Sequence, residues 1–150
     1  MQKSMILMRD IRKSYYLTNR EEISVLRGIC LDIKAGEFVA LMGESGSGKS
    51  TLLNIIGCLH YSNSGKFEFE GEDLSDLKDD EILSHIRNRK IGFIFQQFHL
   101  IPKLTALENV ILPSLYLPLS QAEKQARATM LLRKVGLGDR MGNRPGELSG

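Results

Sequence analysis

A chain of 150 residues, 42% of them hydrophobic, is long enough for one domain with a real core. A formal charge of +2 makes no general electrostatic case for nucleic-acid binding, and the longest apolar stretch, Val110 to Leu119, contains Pro113 and Pro118 and is too short to cross a bilayer. The N-terminal apolar patch is interrupted by Arg9 and Asp10, so it reads as neither signal peptide nor membrane span, and a soluble, cytoplasmic chain is expected. Its two cysteines, Cys30 and Cys58, lie inside apolar runs that predict buried thiols, with no disulfide framework or zinc site.

Met5 to Arg12 reads as a strand, followed by a polar loop at Thr18–Glu22 and a second strand over Val25 to Ile33. Lys34-Ala35-Gly36-Glu37 is a turn. Phe38-Val39-Ala40-Leu41-Met42 is a continuous apolar run of strand length, which predicts a buried strand. It delivers Gly43-Glu44-Ser45-Gly46-Ser47-Gly48-Lys49-Ser50, which matches the phosphate-binding loop pattern G-x-x-x-x-G-K-[ST] at every fixed position.

The chemistry needs these residue types in this order. Glycines let successive backbone N–H groups turn inward around phosphate oxygens, where a Cβ would intrude. Lys49 would reach the β- and γ-phosphates as a point charge, and the Ser50 hydroxyl would help to hold Mg²⁺. A helix beginning at Gly48 adds its N-terminal N–H groups and macrodipole, with Thr51 in the same first turn. Apolar residues at Leu52, Leu53, Ile55, Ile56 and Leu59 have helical spacing, so strand, glycine loop and helix follow in the confirming order. The reading is a chain that binds a nucleoside triphosphate with Mg²⁺.

After Ser62-Asn63-Ser64-Gly65, the strict alternation Lys66-Phe67-Glu68-Phe69-Glu70 predicts an antiparallel strand near a sheet edge, one face packed and one wet. A turn at Gly71 leads to a helix over Asp79–Arg89, acidic at its start and basic at Arg87-Asn88-Arg89-Lys90, as the macrodipole favours. Ile91-Gly92-Phe93-Ile94-Phe95, apolar on both faces, predicts a second buried strand ending at Gln96. Capping boxes open two further helices, at Thr105-Ala106-Leu107-Glu108 and Ser120-Gln121-Ala122-Glu123. The second is expected to reach Val135, with Ala128, Leu131, Leu132 and Val135 as one apolar stripe. The fold class is therefore α/β: a phosphate-loop NTPase core with an antiparallel N-terminal β part and the start of a helical subdomain.

A phosphate loop, a strand ending in Gln96, and a helical segment closing on Leu148-Ser149-Gly150 together resemble the nucleotide-binding domain of ATP-binding-cassette (ABC) proteins. The resemblance covers essentially the whole chain, with a β part and core over 1–104 and an incomplete helical subdomain over 105–150. Asn54–Leu59 and Gly92–Leu100 look most like the lipoprotein-release and macrolide-exporter branch. The resemblance implies ATP as the nucleotide and a cassette that powers export or lipoprotein release. The rival within the family is a cell-division-type regulatory switch. A kinase or GTPase outside it would need a base-recognition motif such as Asn-Lys-x-Asp, which this chain lacks.

Carried over by residue, Tyr15 looks like the aromatic that stacks on adenine, with adjacent Tyr16 as its rival. Gln96 resembles the glutamine that contacts Mg²⁺ and water when the site closes. Phe98, Leu100, Ile101 and Leu104 are apolar where loop chemistry is normally polar. The resemblance makes them the surface that receives a transmembrane permease subunit, and the alternative is side chains folded back on the local core. Ser149 and Gly150 look like the start of the signature motif that faces the phosphate loop of a second ATPase copy. The chain would then lie on the inner face of the membrane through its partner, without inserting.

Two departures stand out. Leu59-His60-Tyr61-Ser62-Asn63-Ser64-Gly65 replaces the branch's usual Leu-Asp-x-Pro-Thr-x-Gly, and His60 is expected to cap a helix end. The acidic Walker B strand, its activating carboxylate and the switch histidine have no counterpart here, and His85 and His99 are not credible substitutes. These 150 residues alone are expected to cradle ATP and hydrolyse it poorly or not at all.

Overall fold

The computed structural model describes residues 3–77, 79–96 and 99–148, which fall into two compact units, Met1–Gly92 and Phe93–Gly150. In the first unit, β1 (Ser4–Tyr16) and β2 (Glu22–Lys34) form a long antiparallel hairpin. Its loop is closed by the Leu17 N–H donating to Glu21 O at 2.9 Å and the Glu21 N–H to Asn19 Oδ1 at 3.0 Å. β3 (Ser64–Phe69) pairs with the other side of β1, and the two-residue β4 (Glu72–Asp73) covers β3, so the sheet order is β2-β1-β3-β4.

The alternation read in β3 holds. Phe67 and Phe69 are buried, while Lys66 and Glu68 pair as ions on the opposite face. Two helices close the buried side, α1 (Lys49–Ile56) and α2 (Asp80–Lys90). Leu52 and Ile55 of α1, and Leu83 and Ile86 of α2, join Met8, Ile11, Leu26, Phe67, Phe69 and Leu74 in one core. Burying each aromatic or large aliphatic side chain contributes about 1.5–3 kcal/mol, so this cluster is what holds the unit together.

The α2 ends follow the charges. Asp79 caps its N-terminus through the N–H groups of Glu81 and Ile82, and Arg87, Arg89 and Lys90 lie in the last turn. The Arg87 guanidinium donates to Cys58 O at 2.7 Å, tying α2 to the turn after α1.

In β1, Asp10 (φ +50°) interrupts the register between Met8 and Ile11. Gly65 packs directly against that bulge: a Cβ on it would stand 2.4 Å from Asp10 O. Glycine is the residue type that fits there.

The second unit is helical. α3 (Ala106–Ile111) runs into a 3-10 turn at Leu112–Tyr116, with Pro113 in its first turn, and packs against α4 (Gln121–Lys134). A 3-10 turn at Gly138–Arg140 and the short α5 (Pro145–Leu148) follow. Both capping boxes form as read. Thr105 and Ser120 accept from the N–H groups of Glu108 and Glu123, whose carboxylates reach back to the cap residues. The α4 C-terminus closes in a Schellman arrangement, Gly136 N–H to Arg133 O at 3.1 Å and Leu137 N–H to Leu132 O at 2.8 Å. Among the described residues no helix is long and apolar enough to cross a membrane.

The capping boxes make the helix starts acid-sensitive. Hydrogen bonds from the Thr105 backbone and side chain hold Glu108 below the ordinary glutamate value of 4.5, and the Ser120 side chain and backbone do the same for Glu123. A lowered folded-state value adds stability that is complete above the unfolded value and lost as pH falls through the folded one. Amide exchange at the first turns of α3 and α4 is therefore expected to accelerate as pH drops below about 4, once the intrinsic exchange rate is divided out. The pH dependence should flatten in Glu108→Gln and Glu123→Gln. A flat profile in the parent chain would refute the assignment.

Five expectations are corrected. Phe38–Met42 and Ile91–Phe95 form no strand, and Phe38 and Ile94 are fully exposed at 98% and 103%. A parallel core strand gets its burial from ladder neighbours and covering helices, and no strand among the described residues pairs with either run. Cys30 is exposed, because it lies on the outer face of β2 with its sulfur accepting from Asp10 N–H, while Cys58 is buried and its thiol pushed up by that burial. The α4 stripe is narrower than read: Ala128 and Leu132 are buried, but Leu131 and Val135 are exposed, since one short neighbouring helix covers only part of that face. Helix α1 stops at Ile56 rather than reaching Leu59, because Gly57 and the left-handed Cys58 (φ +56°) end it.

Candidate nucleotide-binding site

The phosphate-loop pattern folds into a tight turn at the head of α1. The Ser47 N–H donates to Glu44 O at 3.3 Å, and Leu52 N–H to Gly48 O at 2.9 Å starts the helix. Gly48 is the cap residue, in the left-handed region at φ +91°. A Cβ there would lie 3.0 Å from Leu26 Cδ2, 3.1 Å from Val25 Cγ1 and 3.3 Å from Val25 O, so the loop sits hard against β2. Two demands thus fall on one residue: backbone conformation and close approach.

Lys49 curls back into the loop. Its ammonium donates to Gly43 O at 2.9 Å, Glu44 O at 2.5 Å and Ser47 Oγ at 3.4 Å. A flexible stem carrying three donors can exchange such carbonyls for phosphate oxygens without moving the helix. The first backbone N–H groups of a helix have no intrahelical partner, so Lys49, Ser50 and Thr51 present donors and a positive dipole end where the ammonium already sits. No acidic side chain stands in the first turn of α1 to compete with an anion. Ser45, Gly46 and Ser50 are exposed at the loop surface. The donor set and the charge fit a triphosphate, and the exposed Ser50 hydroxyl fits its hard cation.

Tyr15 lies in the same unit, near the end of β1 and paired in register with Ile23 of β2. Two residues on from Ile23, about 7 Å along the strand, is Val25, the residue beneath Gly48. The Tyr15 hydroxyl is 3.3 Å from His60 Nδ1, and Lys13 Nζ stands 5.3 Å from its ring centroid. His60 does close a helix end, but through its backbone N–H, which donates to Asn54 O at 3.1 Å. Its ring instead reaches Tyr15, a contact between residues 45 positions apart that no local pattern announces. Tyr16, on the opposite face of the strand, is 68% exposed against 38% for Tyr15.

Gln96 belongs to the second unit, exposed in a bend after Phe93 and Phe95, whose rings stack at 5.5 Å. Phe98, Ser149 and Gly150 lie outside the described residues. Leu100 and Ile101 are exposed and Leu104 is half-buried. The side chain that organises them, Asn109, carried no signal in the sequence, because an asparagine in the first turns of a helix is usually solvated.

A family model described as ABC transporter matches residues 26–150. This chain belongs to the ABC transporter family. Among relatives of this ABC chain, the uncharacterized ABC transporter ATP-binding protein YknY of Bacillus subtilis is 53% identical over 146 residues, covering 97% of the chain and 63% of the relative. The pyoverdine export ATP-binding/permease protein PvdT of Pseudomonas fluorescens is 52% identical over all 150 residues, 23% of its own length. The macrolide export ATP-binding/permease protein MacB of Nitrosomonas europaea is 49% identical over 146 residues, 22% of its length. The fold matches the ATP-binding cassette MJ0796, solved as a dimer in a post-hydrolysis state bound to ADP and Pi. The TM-score is 0.83 at 46% identity, over 97% of this chain and 63% of that one. The fold is thus that of the ABC ATPases, and this ABC chain spans less than two thirds of the length of these relatives.

Proposed function

We propose that this chain is the ATP-binding part of a cassette that powers a membrane complex, in the export and lipoprotein-release branch of the family. The observation that carries the reading is the phosphate loop: Lys49 held inside the turn, Gly48 seated on Val25 and Leu26, and the α1 N-terminus behind them. The names of the relatives, pyoverdine export and macrolide export, favour export. Lipoprotein release rests on the sequence around Asn54–Leu59 and Gly92–Leu100.

In this reading, residues 1–104 are the β part and core of one nucleotide-binding domain and 105–150 belong to its helical subdomain. Backbone N–H groups from Gly43 to Thr51 hold the phosphates, Lys49 neutralises the β- and γ-oxygens, and Tyr15 stacks on the adenine. Ser50 and Gln96 would hold Mg²⁺, which when bound draws charge from the phosphate oxygens. Phosphoryl transfer of this kind is mostly positioning and charge stabilisation, which these residues supply. Ser149 and Gly150 would face the phosphate loop of a second copy, and the solution of the MJ0796 cassette as a dimer supports the pairing of two copies. The apolar loop at Phe98, Leu100 and Ile101 would seat a permease subunit and keep the cassette on the inner membrane face.

Titration of the chain with ATP tests the base site. Tyr15→Ala is expected to weaken ATP, and GTP equally, by roughly tenfold or more, since a ring stack is indifferent to the base, and Tyr15→Phe by no more than about twofold. Unchanged affinity in Tyr15→Ala, with a loss in Tyr16→Ala, would move the base to the other face of β1.

A further inference from the structure

An apolar loop in water tends to fold its side chains onto the nearest core. The loop before α3 does so only in part, with Leu104 half-buried and Leu100 and Ile101 exposed, and one side chain holds its backbone. Asn109, on the second turn of α3, accepts from the Ile101 N–H with Oδ1 at 2.8 Å. Its amide nitrogen is within donating distance of Ile101 O at 3.2 Å, Leu104 O at 3.2 Å and Thr105 O at 2.9 Å. Ile101 is therefore gripped on both backbone groups, as in a strand ladder, by a side chain eight positions away. Its own backbone adds one bond, Leu104 N–H to Ile101 O at 3.1 Å. Held this way, Ile101 and Leu100 keep 40% and 43% of their surface in solvent while Ala106 goes into the core.

We propose that Asn109 is a positioning residue for partner binding: it preorganises the Leu100–Ile101 patch so that an apolar segment of the permease docks on a loop already ordered. The inference rests on the reading that this patch is where the permease sits. Docking on a mobile loop would surrender affinity to the entropy of ordering it, and a clamp formed beforehand removes that loss. An asparagine is the residue that can do this, since the task needs an acceptor for one N–H and, at short reach, an amide whose two N–H donors are shared among three neighbouring carbonyls. Aspartate has the same shape but sets a carboxylate against three carbonyl oxygens.

The test uses the cassette with its permease partner. In Asn109→Asp, amide exchange at Ile101 is expected to accelerate about tenfold or more, and the permease concentration giving half-maximal stimulation of ATP turnover to rise about tenfold. Asn109→Ala should show a smaller rise in the same direction. At saturating permease the stimulated rate should return to within about twofold of the parent, because an ordering loss acts on affinity and Asn109 touches no reacting group. The inference is overturned if neither quantity moves in Asn109→Asp while Ile101→Ser raises the half-maximal concentration, a result that leaves the docking site standing. It is overturned equally if exchange rises throughout Gln121–Lys134 in both Asn109 variants, since the residue would then only hold the fold. Unchanged stimulation in Ile101→Ser and Leu100→Ser would remove the docking site itself, and the inference with it.

Discussion

Lys49→Ala is expected to weaken ATP binding by about a hundredfold and to bring ATP turnover in the assembled complex to background. Charge-assisted hydrogen bonds to an anion contribute about 1.5–3 kcal/mol each, and the loss of one or two converts to roughly that factor. In the structure the same ammonium bridges Gly43 O and Glu44 O, contacts it would exchange for phosphate oxygens. ADP affinity should fall as well, though by less than that of ATP, because ADP offers the ammonium a β-phosphate and no γ-phosphate. Lys49→Arg keeps the charge, but a planar fork does not reproduce an ammonium set 2.5–2.9 Å from two adjacent carbonyls, and little recovery is expected. Titration with a fluorescent ATP analogue and phosphate release measure both effects. An Lys49→Ala chain that binds within about threefold of the parent would remove the lysine from the phosphate site.

Gly65→Ala is expected to cost at least about 3 kcal/mol of folding stability, roughly a 15 °C fall in thermal midpoint for a unit of this size. At φ +101° an L side chain is strained, and here it also meets backbone. The added Cβ would stand 2.4 Å from Asp10 O, 2.7 Å from Asp10 C and 2.8 Å from Arg9 O. No rotamer relieves a contact with a main chain, so β3 must shift or the bulge in β1 must open. Gly71→Ala is the control, since its Cβ would meet nothing within 4 Å. Thermal unfolding of the two variants decides the matter, and equal losses would show that the clash is absorbed. The loss should reach nucleotide binding too, because β3 pairs with β1 at Arg12, three residues before Tyr15.

What could be read without coordinates was whatever depends on neighbours along the chain. Ser120 and Glu123 are three apart, so their capping box was legible, and so was the in-out alternation of Lys66 to Phe69. The phosphate loop was legible because its chemistry fixes residue types at close spacing. Burial depends on what else is present in space, and there the reading failed. Phe38–Met42 has the composition of a core strand, but no strand among the described residues pairs with it and its side chains are exposed. Cys30 looked buried because it lies in an apolar run, yet register turns it outward. Contacts across the chain were out of reach in the same way. His60 was expected to cap a helix end with its imidazole; only its backbone N–H reaches one, and nothing local could show its ring at the Tyr15 hydroxyl. Asn109 was missed for the opposite reason: its partners are close in sequence, but a loop gripped by a side chain has no periodic signature.

The seating of Gly48 on Val25 and Leu26 also bears on the order in which the site comes into being. β1 and β2 are joined by a short loop, so their pairing closes over few residues at small entropic cost. The pairing of β1 with β3, Ile6 opposite Phe69, must wait for a far longer closure that contains the phosphate loop itself. During synthesis the hairpin also leaves the ribosome before the phosphate loop and β3 do. The bed on which the phosphate loop rests can thus form before the loop itself. A defect in the hairpin would then act on nucleotide binding through the yield of folded protein, even where it touches no atom of the nucleotide.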